Sequence, residues 1–237
     1  MILQYYDVML YEEDVFFLSD DQWLNDTCIE FYMEYLERTK LLSIRGSSVL
    51  QVFLLRPAIT FLITNSPDKS DLSSAIPAQL TVSDVIFMPV KFVLYVDKGS
   101  PLRLRFKESD VLFLKLTKFL HLYVKSINKF LHYDSAGPMN MSYARITAKK
   151  VARRLGIKDY EVIGMHSPQQ KNGSDCGVYV VAITDHLTQR LLNINPETFS
   201  PLTDLILAPN DIPAASFTRK MMRSLVANLV KKSRVYE

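Results

Sequence analysis

The sequence predicts one domain of the α/β or α+β class, and three observations carry that reading. A chain of 237 residues is long enough for one sizeable core and short for two. Its 48% apolar and 22% charged residues are the balance of an ordinary globular protein. Apolar runs of strand character, at 85 to 88 and 129 to 133, are interspersed with stretches of helical period, with no linker, repeat or low-complexity tract between them.

The elements follow in order. Asp20 and Asp21 offer capping oxygens, and Leu24, Cys28, Ile29, Phe31, Tyr32 and Tyr35 keep one face apolar, which predicts a helix over about 22 to 38 with Trp23 near its start. Residues 49 to 65 read as a strand or short apolar element followed by a second helix, with Pro57 between them, and 66 to 74 as a polar loop. The contiguous run from 85 to 88, bounded by Asp84 and Pro89, reads as a buried strand. Residues 123 to 124 and 129 to 133 flank Lys125, Ser126, Ile127 and Asn128 as a hairpin would. A surface helix is expected over 141 to 155, ended by Gly156, then a strand at 162 to 165 and an amphipathic helix over 216 to 235.

Composition excludes several classes. A net charge of +3 is weak for this length, and the basic clusters at 149 to 154 and 220 to 232 are interleaved with apolar residues as on solvated helix faces, so no nucleic-acid partner is expected. The apolar runs at 85 to 96 and 111 to 124 are broken by lysine and fall short of a bilayer span, and residues 1 to 12 lack the pattern of a secretory signal. Two cysteines, Cys28 and Cys176, make no disulfide framework and point to a reducing compartment, so a cytoplasmic or nuclear protein, acting as a monomer, is expected. No C-x-x-C or H-E-x-x-H spacing calls for a metal, and no cofactor is implied.

The most informative stretch is 165 to 183, MHSPQQKNGSDCGVYVVAI. Its polar approach can supply amide donors and a tight turn, and the apolar run after Gly177 begins a buried helix or strand. A cysteine heading a helix gains a lowered pKa from the terminal amides, whereas a lone cysteine before an apolar run is otherwise a small buried hydrophobe. Cys28 reads as core packing.

The order Gln170-x-Asn172-x-x-Asp175-Cys176-Gly177 resembles the catalytic-cysteine motif of the Ulp and sentrin-type proteases that process ubiquitin-like modifiers. Trp23-Leu24-Asn25-Asp26 is similar to the tetrad that opens that family's first helix and supplies a tryptophan lid over the modifier's Gly-Gly tail. His132-Tyr133-Asp134-Ser135 resembles its strand-end segment bearing the catalytic aspartate. The wording of these motifs looks most like the deneddylating subgroup, which acts on Nedd (RUB in plants), with SUMO the other candidate modifier. The resemblance covers roughly 5 to 90 and 123 to 232. It implies a papain-like α+β fold, a mixed central sheet flanked by helices, over residues 1 to 237. It also implies roles: Cys176 attacks the terminal glycine carbonyl, Gln170 and the Cys176 N–H hold the oxyanion, Asp134 orients an imidazole, and Trp23, Asn25 and Asp26 engage the tail. Without it, Asp134 reads equally as a turn carboxylate.

The histidine is the departure. Counting back from Asp134 to the position the family gives its His-Trp segment lands on Thr117, followed by Lys118, and neither is competent as a base. Of the four histidines only His121 lies on the expected strand, four residues late, roughly 13 Å along it; the even offset keeps it on the same face, but a bulge or register change is required. His132 is too close to Asp134 in sequence for the usual cross-strand pair, His166 would have to approach through the loop, and His186 lies two turns or more down a helix. From about 91 to 122 the sequence does not resemble the family, with the sharp edges that altered splicing or a mistaken gene model leaves. Two functions are therefore expected: an active protease in which His121 or another residue fills the empty role, or a pseudoprotease that binds the modifier without turnover.

Overall fold

The computed structural model describes residues 1–42, 50–67, 70–97, 111–137 and 140–233, with backbone alone for 93–97 and 111–116. It opens on a hairpin, β1 (Leu3–Tyr5) and β2 (Val8–Leu10), turned through Tyr6 at a φ of 51°. Helices α1 (Glu12–Phe16) and α2 (Asp26–Leu36) follow, α2 passing into a π-helical turn over Glu37–Leu41. Next come β3 (Val52–Leu54) and α3 (Pro57–Asn65), where Pro57 takes the first helical position and its missing N–H is harmless. The strands β4 (Val85–Asp97), β5 (Val111–Val124) and β6 (Lys129–Tyr133) lead to α4 (Met141–Leu155), β7 (Glu161–Gly164), α5 (Cys176–Leu192), α6 (Pro201–Asp204) and α7 (Ala215–Ser233).

A five-stranded mixed sheet runs in the order β3-β4-β5-β6-β7, with the outer pairs parallel and the two inner pairs antiparallel. Both faces are covered. Val85, Phe87, Leu120, Leu122, Val124, Leu131 and Tyr133 pack with Ile29 and Phe31 of α2, Val178, Val181 and Leu187 of α5, and Met222 and Val226 of α7. Ile86, Met88, Tyr123 and Phe130 pack on the opposite side with Ile63 of α3 and Ala148, Val151 and Ala152 of α4. Burial on two faces is why 85 to 88 shows no polar alternation. Each such side chain contributes about 1.5 to 3 kcal/mol through its removal from water.

Three expectations change. The first long helix begins at Asp26, because the Asn25 side chain accepts the Cys28 N–H at 2.9 Å and Asp21 sits at a φ of 61°, so Trp23 lies in the approach to the helix. The segment from 91 to 122 that departs from the family forms most of the β4/β5 pair, in one register from Val85↔Val124 to Val96↔Phe113 with a shift before Asp97↔Val111, while 98–110 lie outside the described residues. Pro89 sits within β4 opposite Leu120, beyond the last β3 partner, where one edge of the strand needs no donor. The last helix is described to Ser233, and the polar stretch at 66 to 74 is turns and irregular chain where described.

The sheet is uneven at one end. The pairing of β6 with β5 ends at Tyr133↔Leu120, whereas β5 is paired with β4 well beyond that point. Thr117, Lys118 and Phe119 therefore lie past the end of β6, level with the chain that turns away from it.

Candidate active site at the head of the fifth helix

Cys176 is the first residue of α5 and Asp175 its N-cap, so the expected helix, rather than a strand, follows the cysteine. The approach is a tight Asx turn: Asn172 Oδ1 accepts the N–H groups of Ser174 (3.1 Å) and Asp175 (3.0 Å), and its amide donates to Asp175 Oδ2 at 2.9 Å. That loop is fastened to the end of β6. The Gln170 N–H donates to Ser135 O (2.9 Å), Ser135 Oγ donates to Gln170 Oε1 (2.8 Å), and Gln169 Nε2 donates to Asp134 O (3.0 Å). Gly177 is required by close approach, since a Cβ there would stand 3.0 Å from Leu24 Cβ, 3.3 Å from Leu24 O and 3.4 Å from Lys118 Cδ.

The sulfur is not the exposed anion the helix terminus alone suggests. Cys176 is 5% exposed, and burial pushes its thiol up. The Lys118 backbone N–H, the Lys118 ammonium and the Gly177 N–H favour the thiolate, and Asp134 opposes it. The upward influences win, so the resting group is a thiol.

Asp134 lies at the exit of β6 with both oxygens engaged: Oδ1 accepts the Ala136 N–H at 2.9 Å and Oδ2 the Asn140 amide at 2.8 Å. His132 Nε2 approaches Oδ2 only to 3.9 Å. The Gln170 amide is likewise occupied, Nε2 donating to Asn172 O at 2.6 Å and Oε1 accepting from Ser135. A groove beside the cysteine loop is lined by Thr117, Ser135, Gln169, Gln170 and Gly173. The position where an imidazole is expected thus carries the small hydroxyl of Thr117.

His121 is a correction. The regular β5 register, without the bulge it needed, pairs it with Met88 and His132 and buries it completely. It lies on the Phe119 and Tyr123 side of the strand, the side that two-residue alternation also gives Thr117, but four residues further into the sheet. Its ring lies 5.1 Å from that of His132, edge to face. Burial, then His132, holds its imidazole well below the ordinary range, and burial lowers His132 to about 4. None of the four ring nitrogens has a hydrogen-bond partner among the described residues. His166 Nδ1 meets Leu207 O at 2.9 Å, and His186 Nε2 lies 2.7 Å from Arg190.

Trp23 is 39% exposed on the approach to α2, while Leu24 beside it is buried. Asn25 is a helix cap: besides taking the Cys28 N–H it donates to Asp14 Oδ1 at 2.6 Å. Asp26 accepts from Lys118 and, at 3.0 Å, from Lys91. Burial works against its charge, but the two lysines hold its carboxyl below the usual range.

Two residues escaped the sequence reading. Lys118, 4% exposed, is a buried lysine on a strand, and only its place next to Thr117 marked it. Arg219 of α7, just before the basic cluster at 220 to 232, was not singled out, yet it is 1% exposed and uses its whole guanidinium: Nε and one terminal nitrogen reach Asp175 Oδ1 (3.1 and 2.8 Å), and the remaining bonds go to the carbonyls of Phe17, Ser19 and Gln22. It ties the strand of loop before Trp23 to the cap of the cysteine helix. Among the described residues no three His, Cys, Asp or Glu side chains gather as metal ligands.

Residues 22–195 match the family model of the Ulp1 protease family, C-terminal catalytic domain. The chain is 27% identical over 251 residues to a probable sentrin-specific protease 8 of Dictyostelium discoideum, covering 99% of this chain and 94% of that one. It is 32% identical over 184 residues to the NEDD8-specific protease 1 of Arabidopsis thaliana, covering 76% and 72%. Among solved structures it resembles a de-sumoylating protease with a TM-score of 0.63 at 16% identity, over 97% of this chain and 89% of the other. It also resembles the Ulp1 protease domain solved with Smt3, the yeast ortholog of SUMO, with a TM-score of 0.58 at 18% identity, over 96% and 87%. The α+β architecture, a mixed sheet between helices, is theirs. The cysteine at the head of α5, the fold around it and the matched 22–195 place this chain in the Ulp1 protease family, which is a family of cysteine peptidases.

Proposed function

We propose that this chain is a slow thiol protease that cleaves after the C-terminal Gly-Gly of a ubiquitin-like modifier, of the Nedd (RUB) class, both from conjugates and from precursors. Relatives named for NEDD8 support the choice of modifier. The observation that carries the reading is the fastening of the Cys176 loop to Asp134 and Ser135 at the head of α5, beside an exposed Trp23. The Cys176 thiolate attacks the carbonyl carbon of the last glycine, the C–N bond to the leaving amine breaks, and water hydrolyses the resulting thioester. The Cys176 N–H and the Gln170 amide, once it releases Asn172 O, stabilise the oxyanion, and Trp23 covers the glycines. With Thr117 in the place of an imidazole, no group among the described residues passes a proton from sulfur to the amine, which costs about 10² to 10⁴ in rate.

That absence favours a second reading, retention of the modifier without turnover. The two are separated with Nedd, SUMO and ubiquitin that carry either a C-terminal electrophile or a fluorogenic leaving group. The protease reading expects the Nedd electrophile to attach to Cys176, slow release of the Nedd fluorophore, and loss of both in Cys176→Ala. Nedd binding that depends on Trp23, with neither attachment nor release, establishes the second reading instead.

A further inference from the structure

The neighbour of the sulfur that carries positive charge is a lysine. Lys118 of β5 lies directly opposite Lys91 of β4, an arrangement that repels unless an anion intervenes, and Asp26 at the start of α2 supplies it. The Lys118 ammonium also donates to Leu24 O at 2.8 Å. Leu24 O and Asp26 thus take two of its three donors and hold a buried cation whose desolvation otherwise disfavours it.

The place where they hold it matters. On its way to Leu24 the Lys118 stem crosses the first turn of α5, its Cδ 3.4 Å from where a Gly177 Cβ would be, and Leu24 O lies 3.3 Å from that same point. The lysine therefore passes over the residue following the nucleophile, where its backbone N–H and its ammonium both favour negative charge on the Cys176 sulfur. The charged and titratable groups around the sulfur are Lys118 from β5 and Asp134 from the exit of β6. Around Lys118 they are Asp26 and Cys28 of α2, Lys91 of β4 and Cys176 itself.

We propose that Lys118 is the cationic partner of the Cys176 thiolate, steadying the sulfur through its backbone N–H and its buried ammonium where relatives would use an imidazolium. This rests on Cys176 being the nucleophile. On ionisation the thiol proton goes to solvent and Lys118 keeps its three, so the lysine supplies charge and position but no proton transfer. The leaving amine then takes its proton from water. Reactivity accordingly climbs with pH as the thiol ionises and levels off once the sulfur is fully thiolate.

The test is the pH dependence of Cys176 alkylation by iodoacetamide, in which a sulfur–carbon bond forms and iodide leaves, read by peptide mass spectrometry. Cys28 gives little background, because burial pushes its thiol up to about 12 and its sulfur donates to Asp14 O at 3.2 Å. In Lys118→Met and Lys118→Gln the midpoint of the alkylation profile is expected to rise by about one to three pH units, the effect of removing an opposite charge at short range. Lys118→Arg, which keeps the charge, is expected to stay near the parent. If Met disrupts folding, as thermal melting reports, the comparison of Gln with Arg carries the test. A folded Met or Gln variant with the parental midpoint overturns the proposal, as does an Arg variant that behaves like Gln. The Nedd electrophile separates the two levels: a parent that never labels at Cys176 sinks the nucleophile, whereas labelling with a midpoint indifferent to residue 118 sinks only the role of the lysine.

Discussion

Thr117 is a single substitution away from the missing base. Threonine at that position borders the groove beside the cysteine loop, past the end of β6 and on the approach to Asp134, so Thr117→His is expected to raise release of the Nedd fluorophore by about 10² or more and to turn its pH profile bell-shaped. Trp23→Ala is expected to weaken Nedd binding by at least about tenfold, as loss of an aromatic anchor does, while melting temperature barely moves because the ring is exposed. The cysteine turn, the aspartate at the exit of β6 and the exposed tryptophan stood out in sequence because each sits in a run of polar or aromatic residues whose order is unusual. Asn25 was read as a substrate contact, and the cap it forms on the Cys28 N–H at 2.9 Å was not foreseen, because the same amide chemistry serves both roles. Lys118 was illegible for a deeper reason: the rule that lysines face water fails only where partners are supplied by distant segments, here Leu24 and Asp26.

At the scale of elements, the helix that carries the cysteine is held by a helix that comes after it in the chain. Arg219 brings α7 to the Asp175 cap and to three carbonyls of the segment before Trp23. Arg219→Met leaves those oxygens and a largely buried carboxylate without their partner, and is expected to cost about 3 to 5 kcal/mol in urea unfolding. Lys at 219 is expected to recover little of it, since a single ammonium cannot span the acceptors that a planar fork reaches. Strands and helices with clean period were visible in sequence; the start of α2 was misplaced by four residues, because Asp20 and Asp21 look like caps as much as Asn25 does. The β4/β5 pair was only half visible, since a strand with lysines at 91, 115 and 118 interrupts the apolar pattern that would announce it.

The molecule as a whole stores a sensitivity to acid in its sheet. His121 and His132 face each other across β5 and β6 as neutral rings, with His132 held near 4, whereas in the unfolded chain both titrate near their ordinary value of about 6.5. Stability is therefore complete above about pH 6.5 and falls as the pH drops toward 4, because the unfolded state then binds protons that the folded state refuses. For His132 alone the loss is about 3 kcal/mol, with His121 adding in the same direction. Urea midpoints measured from pH 7.5 to 4 check this, and His121→Phe together with His132→Phe is expected to flatten the dependence. The Arg219 fork has a further consequence. It joins residues about two hundred positions apart, so a nascent chain emerging from the ribosome holds Cys176 without its completed cleft until residue 219 has appeared and docked. Assembly around the head of the Cys176 helix is thus a late event in synthesis, because it waits on a residue near the end of the chain.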